Sequence, residues 1–179
     1  MCIDIVLADP YPVMLEGLTH VFENSPEFSV KSCVRTGDAA LQALEHHRPH
    51  ILVMDLSLNQ RSGLALLEDI KAKNLATRPV VFTGAPIGEV MRALDLDVPG
   101  LVSKEKSKQV LTRCIKSVHE GGKWLDRDLT VKTMSLLLEQ LHCDLVHFVD
   151  DPFVLAQSPK SHHSTCDHGR RARLKAPTE

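Results

Sequence analysis

Four polar residues stand where short runs of Val- and Ile-rich sequence come to an end. Asp9 follows the first run and Asp55 closes the third. Thr83 closes the fourth run, and Lys104 comes directly after the residue that closes the fifth. Runs of this composition are typical of buried parallel strands, whose carboxyl ends meet at one edge of a sheet. We therefore expect two carboxylates, a hydroxyl and an ammonium to converge there.

This set of groups suits phosphoryl transfer. One carboxylate can act as the nucleophile, and a second can help to hold a hard divalent cation through oxygen ligands. A metal and an ammonium stabilise the charge on the transferred phosphoryl oxygens, and a hydroxyl can donate a hydrogen bond to the bound phosphate. Each residue type is common by itself at a strand end, so the prediction depends on all four occurring in this order.

The elements that must position these residues follow an alternating pattern. The strands are predicted at Ile3–Ala8, Phe28–Val34, His50–Asp55, Pro79–Thr83 and Gly100–Ser103, and the helices at Pro12–Glu23, Asp38–His46, Ser62–Lys73, Ile87–Leu94 and Lys106–Glu120. Phe28–Val34 alternates in polarity and is expected near a sheet edge. Strands and helices in alternation predict an α/β fold, a parallel sheet with helices on both faces. The natural topology is the flavodoxin-like, doubly wound order.

Composition limits the class of protein. The 179 residues leave room for one domain of ordinary size and an appendage, with 43% apolar and 25% charged residues. A net charge of −2 gives no general attraction to nucleic acid or to an anionic membrane. Five scattered cysteines fit a reducing compartment, and neither a signal peptide nor a membrane-spanning run is expected. These features predict a cytoplasmic protein.

The motifs resemble those of a known family. The segments around Asp9 and Asp55 look like the opening and the acceptor-aspartate region of NarL/LuxR-type response-regulator receiver domains, and those around Thr83 and Lys104 look like the switch-threonine and lysine regions. The resemblance covers about residues 2–125. It is carried by Val6–Leu18, Ile51–Gly63, Val80–Gly84 and Pro99–Lys104.

The resemblance implies a role for each site residue. Asp55 would be the phosphate acceptor, and Asp9 the acidic residue of a Mg²⁺ pocket. Asp55 and the backbone carbonyl of Ser57 would be further metal ligands. Thr83 would supply the switch hydroxyl, and Lys104 the cation that pairs with the phosphate. The implied phosphoryl donor is a sensor histidine kinase, which makes this a signalling protein rather than an enzyme.

Three positions depart from the family pattern. Pro10 stands where a second acid is usual, so the resemblance implies weakened Mg²⁺ binding. Asn59 replaces a usual proline, and Leu101 takes the place of the switch aromatic residue. Two hypotheses follow: a phosphorylatable receiver, or a degenerate one that acts by protein contacts alone.

The chain divides into three predicted parts. Residues 1–124 are the receiver domain, residues 125–149 a linker and dimerisation helix, and residues 150–179 a disordered basic tail. The helix is predicted from the amphipathic stretch Asp128–His142, and the tail is predicted to be disordered because it has no apolar periodicity. Pairing with a second copy or with another regulator is expected through this helix and the surface of the fourth helix, fifth strand and fifth helix.

The family's output domain is not recognisable here. Such regulators carry a helix-turn-helix of about 60 residues after the linker, and Asp151–Glu179 is too short and polar to form one. Direct DNA binding by this chain is therefore not expected. A frameshift is one hypothesis, because Leu155–Lys160 can be back-translated to read S-L-S-P-R-K in a neighbouring frame. A natural receiver-only protein is the other.

Two other functions compete with that of a phosphorelay protein. One is a phosphate-independent interaction module that forms heterodimers with a full-length regulator, which Pro10 and Leu101 favour. The other is a flavin-binding protein of the same architecture. Asp9–Pro12 after the first strand is not a Ser/Thr/Gly-rich phosphate loop, so the flavin hypothesis has little support.

Overall fold

The computed structural model describes residues 2–149, with side chains to residue 139. Residues 2–139 belong to one compact unit, to which the following description applies. The strands are β1 (Ile3–Ala8), β2 (Phe28–Val34), β3 (Ile51–Met54), β4 (Arg78–Thr83), β5 (Gly100–Ser103) and β6 (Trp124–Leu125). The helices are α1 (Pro12–Glu23), α2 (Gly37–His47), α3 (Gly63–Ala72), α4 (Ile87–Asp95), α5 (Lys108–His119) and α6 (Arg127–Val149).

The strands form one parallel sheet in the order β2-β1-β3-β4-β5-β6. The first five strands have the flavodoxin-like order, so the predicted fold class is confirmed. Phe28–Val34 lies at an edge of the sheet, as its alternating polarity predicted. The order reverses between β1 and β3, and the rule for doubly wound sheets places ligand sites beyond the strand ends at that point.

Two apolar layers cover the sheet. On one face α2, α3 and α4 pack on alternate strand residues such as Leu52 and Leu101, whereas on the other face α1 and α5 pack on residues such as Val53 and Val102. Because β3 is covered on both faces, all four of its residues are buried, which explains its continuous apolar run. This double burial fixes the carboxyl end of β3, where Asp55 follows.

The sequence predicted five strands, and the structure adds a sixth. The backbone N–H groups of Trp124 and Asp126 donate to the carbonyls of Pro99 and Leu101, at 2.8 and 2.9 Å. β6 therefore forms by pairing with the edge of β5. Its two residues are too few to show a periodic pattern, so the sequence did not predict this strand. The strand lies across the predicted division at residue 124, and that division stays a prediction.

Other element bounds differ from the predictions mainly at their ends. The predicted helix Lys106–Glu120 begins at Lys108 and ends at His119. The helix predicted over Asp128–His142 begins at Arg127 and continues to Val149, so it is seven residues longer at its C-terminal end. No helix in the described part of the chain is both long and apolar enough to cross a membrane. The predictions of a disordered basic tail and a missing output domain fall outside the described residues.

Candidate functional site

Asp55 follows β3 and lies at the centre of a buried polar cluster. Asp55 is only 3% exposed. The N–H of Asp55 donates to the carbonyl of Ala8 at 2.9 Å, which continues the β1–β3 pairing past the strand end. Oδ1 accepts a hydrogen bond from the Thr83 hydroxyl at 2.5 Å, and Oδ2 accepts one from Lys104 Nζ at 2.7 Å. Three strand ends therefore meet at one carboxylate.

Asp9 shares the same ammonium. Its Oδ2 lies 2.6 Å from Lys104 Nζ, and Asp9 is 2% exposed. Its Oδ1 accepts the N–H of Tyr11 at 2.9 Å, which orients the carboxylate, and the Tyr11 ring lies 5.5 Å from Nζ. Burial by itself lowers the pKa of Lys104, but hydrogen bonds to Asp55 and Asp9 outweigh it and raise that pKa above its ordinary value. Lys104 is therefore held as a cation between two carboxylates.

Thr83 is fixed by its own strand and by the turn after it. Its Oγ1 accepts the N–H of Ala85 at 3.0 Å while it donates to Asp55. Its carbonyl accepts the N–H of Lys104 at 3.0 Å, so the backbones that carry the hydroxyl and the ammonium are directly bonded. The hydroxyl has one proton, so it can donate either to Asp55 or to another oxygen placed beside it.

The loop after Asp55 is held against α3 by Gly63. The N–H of Gly63 donates to the carbonyl of Leu56 at 2.9 Å. A Cβ at Gly63 would lie 2.6 Å from the Leu56 Cα and 2.7 Å from the Asp55 carbonyl oxygen. Only glycine permits this approach. The exposed Ser57 lies on the same loop, so Gly63 positions both the acceptor and the predicted backbone ligand.

The far end of this loop is anchored to α2. The carbonyl of Asn59 accepts the N–H of Gly37 at 3.2 Å. Arg61 then pairs with Asp38 of α2 at 2.7 Å and with Asp69 of α3. The hydrogen bond to Asp38 is the first cause of the raised pKa of Arg61. Asn59 therefore takes part in the anchoring of the loop through its backbone, which does not require a proline side chain.

The donor set fits a divalent cation with fewer acids than the family pattern has. Asp9 and Asp55 provide hard carboxylate oxygens of the kind that Mg²⁺ prefers. Within the described residues, no group of three or more Asp, Glu, His and Cys side chains is placed to hold a metal. The carbonyl of Pro10 instead accepts Nε of the exposed Arg35 at 3.3 Å. Two carboxylates with Lys104 between them and Arg35 nearby carry little net negative charge, so a bound cation would be held weakly.

The structure brings together four of the residues predicted from the sequence: Asp9, Asp55, Thr83 and Lys104. Ser57 lies on the adjoining loop, and its role as a ligand stays a prediction. Sequence reasoning missed Tyr11, whose backbone and ring both contribute to the cluster. Its place two residues after Asp9 is a signal that could have identified the backbone contact. Leu101 is fully buried in the α2–α4 layer, so its side chain is part of the core.

Residues 5–116 match the response regulator receiver domain. The chain belongs to this family. Among curated relatives, it is 26% identical over 151 residues to the oxygen regulatory protein NreC of Staphylococcus epidermidis, a match that covers 83% of this chain and 69% of the relative. It is 25% identical over 127 residues to the nitrate/nitrite response regulator protein NarL of Escherichia coli, covering 70% of this chain and 59% of that protein. These matches identify NarL-type response regulators as its relatives.

Solved structures agree in fold. The isolated receiver (REC) domain of RcsB from Salmonella enterica serovar Typhimurium superposes with a TM-score of 0.66 at 22% identity, covering 73% of this chain and 97% of that one. A LuxR-family response regulator from Aurantimonas gives a TM-score of 0.70 at 22% identity, covering 77% of this chain and 99% of that one. At this identity the likeness shows the receiver fold alone.

Proposed function

We propose that this chain is a cytoplasmic phosphorelay protein that accepts a phosphoryl group on Asp55 from a sensor histidine kinase. One observation carries the proposal. Asp55 is a buried carboxylate with a hydroxyl on one oxygen and an ammonium on the other, beside a second carboxylate. This arrangement holds a nucleophile next to the groups that a phosphoryl oxygen would need as partners.

The reaction follows from these contacts. An oxygen of Asp55 forms a bond to phosphorus, while the bond from phosphorus to the donor nitrogen breaks and its electron pair leaves with the imidazole. Lys104 can then pair with a phosphoryl oxygen, and the Thr83 hydroxyl can redirect its proton from Asp55 to another. A bound Mg²⁺, held by Asp9, Asp55 and the Ser57 carbonyl, would supply further neutralisation of the phosphoryl charge.

Phosphorylation would replace one negative charge at Asp55 with about two. Thr83 and Lys104 are the described groups that would respond first, because each already bonds to Asp55. They sit at the ends of β4 and β5, so their movement would pass to α4, β5 and α5. The expected output is a change in that surface, a two-state element biased by a local charge.

The partner is proposed to be a second copy or a related regulator, bound in part through α6. Val131 and Met134 are each 56% exposed and Leu138 is 62% exposed. They stand at the i, i+3 and i+7 positions, which is the spacing of a coiled-coil seam. The amino-acid sequence repeats this spacing with Leu141, Leu145 and Phe148. An exposed apolar seam of this kind favours pairing of two α6 helices.

Phosphorylation can be tested with a small-molecule donor. The purified chain is incubated with acetyl phosphate and Mg²⁺, and its intact mass is measured. We expect the wild type to gain one phosphoryl group and Asp55→Asn to gain none, because the nucleophilic oxygen is lost. Asp95→Asn, an exposed acid on α4, is the matched control and should gain the group as the wild type does. No gain in the wild type would contradict the proposal.

A second candidate is a phosphate-independent interaction module. The Pro10–Arg35 contact favours it, since Pro10 stands where the family pattern has an acid and its carbonyl accepts a hydrogen bond from a cationic side chain. The prediction of this alternative is that association through α6 does not depend on Asp55. Sedimentation of the wild type with and without acetyl phosphate, and of Asp55→Asn, distinguishes the two functions: identical association in all three samples supports the interaction module.

A further inference from the structure

Asp126 is a buried carboxylate outside the Asp55 pocket. It is 4% exposed and directly precedes α6. Its Oδ1 accepts the N–H of Asp128 at 2.9 Å, and its carbonyl accepts the N–H of Thr130 at 2.9 Å, so Asp126 is the N-cap of α6. Its Oδ2 accepts the N–H of Ser103 at 3.3 Å. One side chain therefore starts α6 and also binds the end of β5.

The Ser103 contact leads directly to the pocket. Ser103 is the residue before Lys104, whose backbone N–H is bonded to the carbonyl of Thr83 and whose ammonium bridges Asp9 and Asp55. The Ser103 hydroxyl accepts the N–H of Glu105 at 3.2 Å, and its carbonyl accepts the N–H of Lys106 at 3.0 Å. Ser103, the last residue of β5, thus anchors the start of the β5–α5 loop.

A second connection joins the same loop to the first turn of α6. Lys106 Nζ lies 3.8 Å from Asp126 Oδ1 and pairs with Asp128. The hydrogen bond to Asp128 is the first cause of the raised pKa of Lys106. Asp128 and Lys106 are more exposed than Asp126, so this pair is screened by solvent. The buried Asp126–Ser103 bond is therefore the stronger candidate for coupling.

We propose that Asp126 is a positioning residue that couples the Asp55 pocket to α6. Its carboxylate sets the β5–α5 loop through Ser103, and it sets the start of α6 through Asp128. A phosphoryl group that draws Lys104 toward it would displace Ser103. The 3.3 Å hydrogen bond from the Ser103 N–H to Asp126 would then either carry this displacement to α6 or break. The inference rests on the proposed function for its trigger, whereas the positioning of Ser103 does not depend on phosphorylation.

Asp126→Asn separates the two roles of the side chain. Asparagine is a good N-cap, and its single carbonyl oxygen can keep the shorter bond to Asp128, but its amide nitrogen cannot accept the Ser103 N–H. Asp126→Ser is a second variant, which caps α6 through a shorter side chain. Asp128→Asn is the matched control, because it weakens the pair with Lys106 and leaves the Ser103 bond in place.

Trp124, the chain's single tryptophan, provides the readout. It lies on β6, two residues before Asp126. On addition of acetyl phosphate and Mg²⁺ to the full chain, we expect the wild type and Asp128→Asn to change Trp124 emission as they gain mass. Asp126→Asn and Asp126→Ser should gain mass with less than about a third of that emission change. A full emission change in both Asp126 variants would overturn the coupling.

Amide exchange tests the positioning without a phosphoryl group. Loss of the bond to Asp126 should speed exchange of the Ser103 amide by about fivefold in both Asp126 variants and leave it unchanged in Asp128→Asn. If the wild type gains no mass, the proposed function fails while faster Ser103 exchange still supports Asp126 as a positioning residue. Unchanged Ser103 exchange in both variants would overturn the inference, whatever the mass measurement gives.

Discussion

Replacing Lys104 with Met should destabilise the folded protein by about 3 kcal/mol at pH 7. The substitution keeps much of the length of the side chain and removes the ammonium that Asp9 and Asp55 share. Both carboxylates are almost fully buried, so water can replace the lost partner only in part. The structure therefore predicts a cost well above that of an ordinary surface lysine.

The magnitude follows from the distances. Lys104 Nζ lies 2.6 Å from Asp9 Oδ2 and 2.7 Å from Asp55 Oδ2, so these two oxygens are no more than about 5 Å apart. Without the ammonium, nothing offsets the repulsion between two unit negative charges at about 5 Å, which is roughly 3 kcal/mol at an effective dielectric constant of about 20. Removing one partner from a buried ion pair costs about 3–5 kcal/mol in other proteins. Both routes give the same order.

The assay is thermal unfolding at pH 7. Lys104→Met should melt roughly 10 °C below the wild type at pH 7. Asp9→Asn in the Lys104→Met background should recover much of the loss, because it removes the repulsion.

Lys73→Met is the matched control. Lys73 makes a similar ion pair with Glu45, but both side chains are about half exposed, and the substitution should leave the melting temperature nearly unchanged. If Lys104→Met and Lys73→Met melt together at pH 7, then Asp9 and Asp55 do not depend on the shared ammonium, and the predicted stabilisation by Lys104 is refuted.

Three further predictions concern backbone packing, the metal and a buried thiol. Gly63→Ala should cost about 1–3 kcal/mol, because its Cβ would meet the Leu56 backbone, and it should slow phosphorylation. Gly17→Ala, with nothing within 4 Å on the exposed face of α1, should instead stabilise the chain by roughly 0.5–1 kcal/mol in urea unfolding; equal effects would contradict the packing argument. Pro10→Asp should tighten Mg²⁺ binding by roughly tenfold in calorimetric titration, and an unchanged affinity would show that charge does not limit it. Burial raises the pKa of Cys114 from 9.0 to about 12, so the unfolded chain loses this proton first. The stabilisation of the folded state by the protonated Cys114 thiol is fully present below pH 9. It should be lost above pH 9 by about 1.4 kcal/mol per unit, as measured by urea unfolding at pH 8–10.5. Cys114→Ala should lack this slope, and an unchanged slope in that variant would contradict its assignment to Cys114.

The element pattern was largely predictable because most of these segments bury apolar residues at regular spacing. Ile3–Ala8 and Phe28–Val34 form strands with the predicted bounds, and Pro12–Glu23 forms the predicted helix. The convergence of the strand ends was also predictable, since parallel strands place their carboxyl ends at one edge. Neither prediction needed a distance, because both depend on residue type and order along the chain.

The sequence by itself determined the receiver fold and the residues that meet at its carboxyl edge. Only the tertiary structure decided how they meet: one ammonium, from Lys104, bridges Asp9 and Asp55, and the Arg35 side chain binds the carbonyl of Pro10. It also decided the contact of Asp126 with Ser103, whereas in the sequence Asp126 is one more acid before a helix. The physical reason is that these contacts join residues far apart in the chain. A sequence pattern records only local spacing, whereas burial and hydrogen bonding depend on which residues the fold brings into contact.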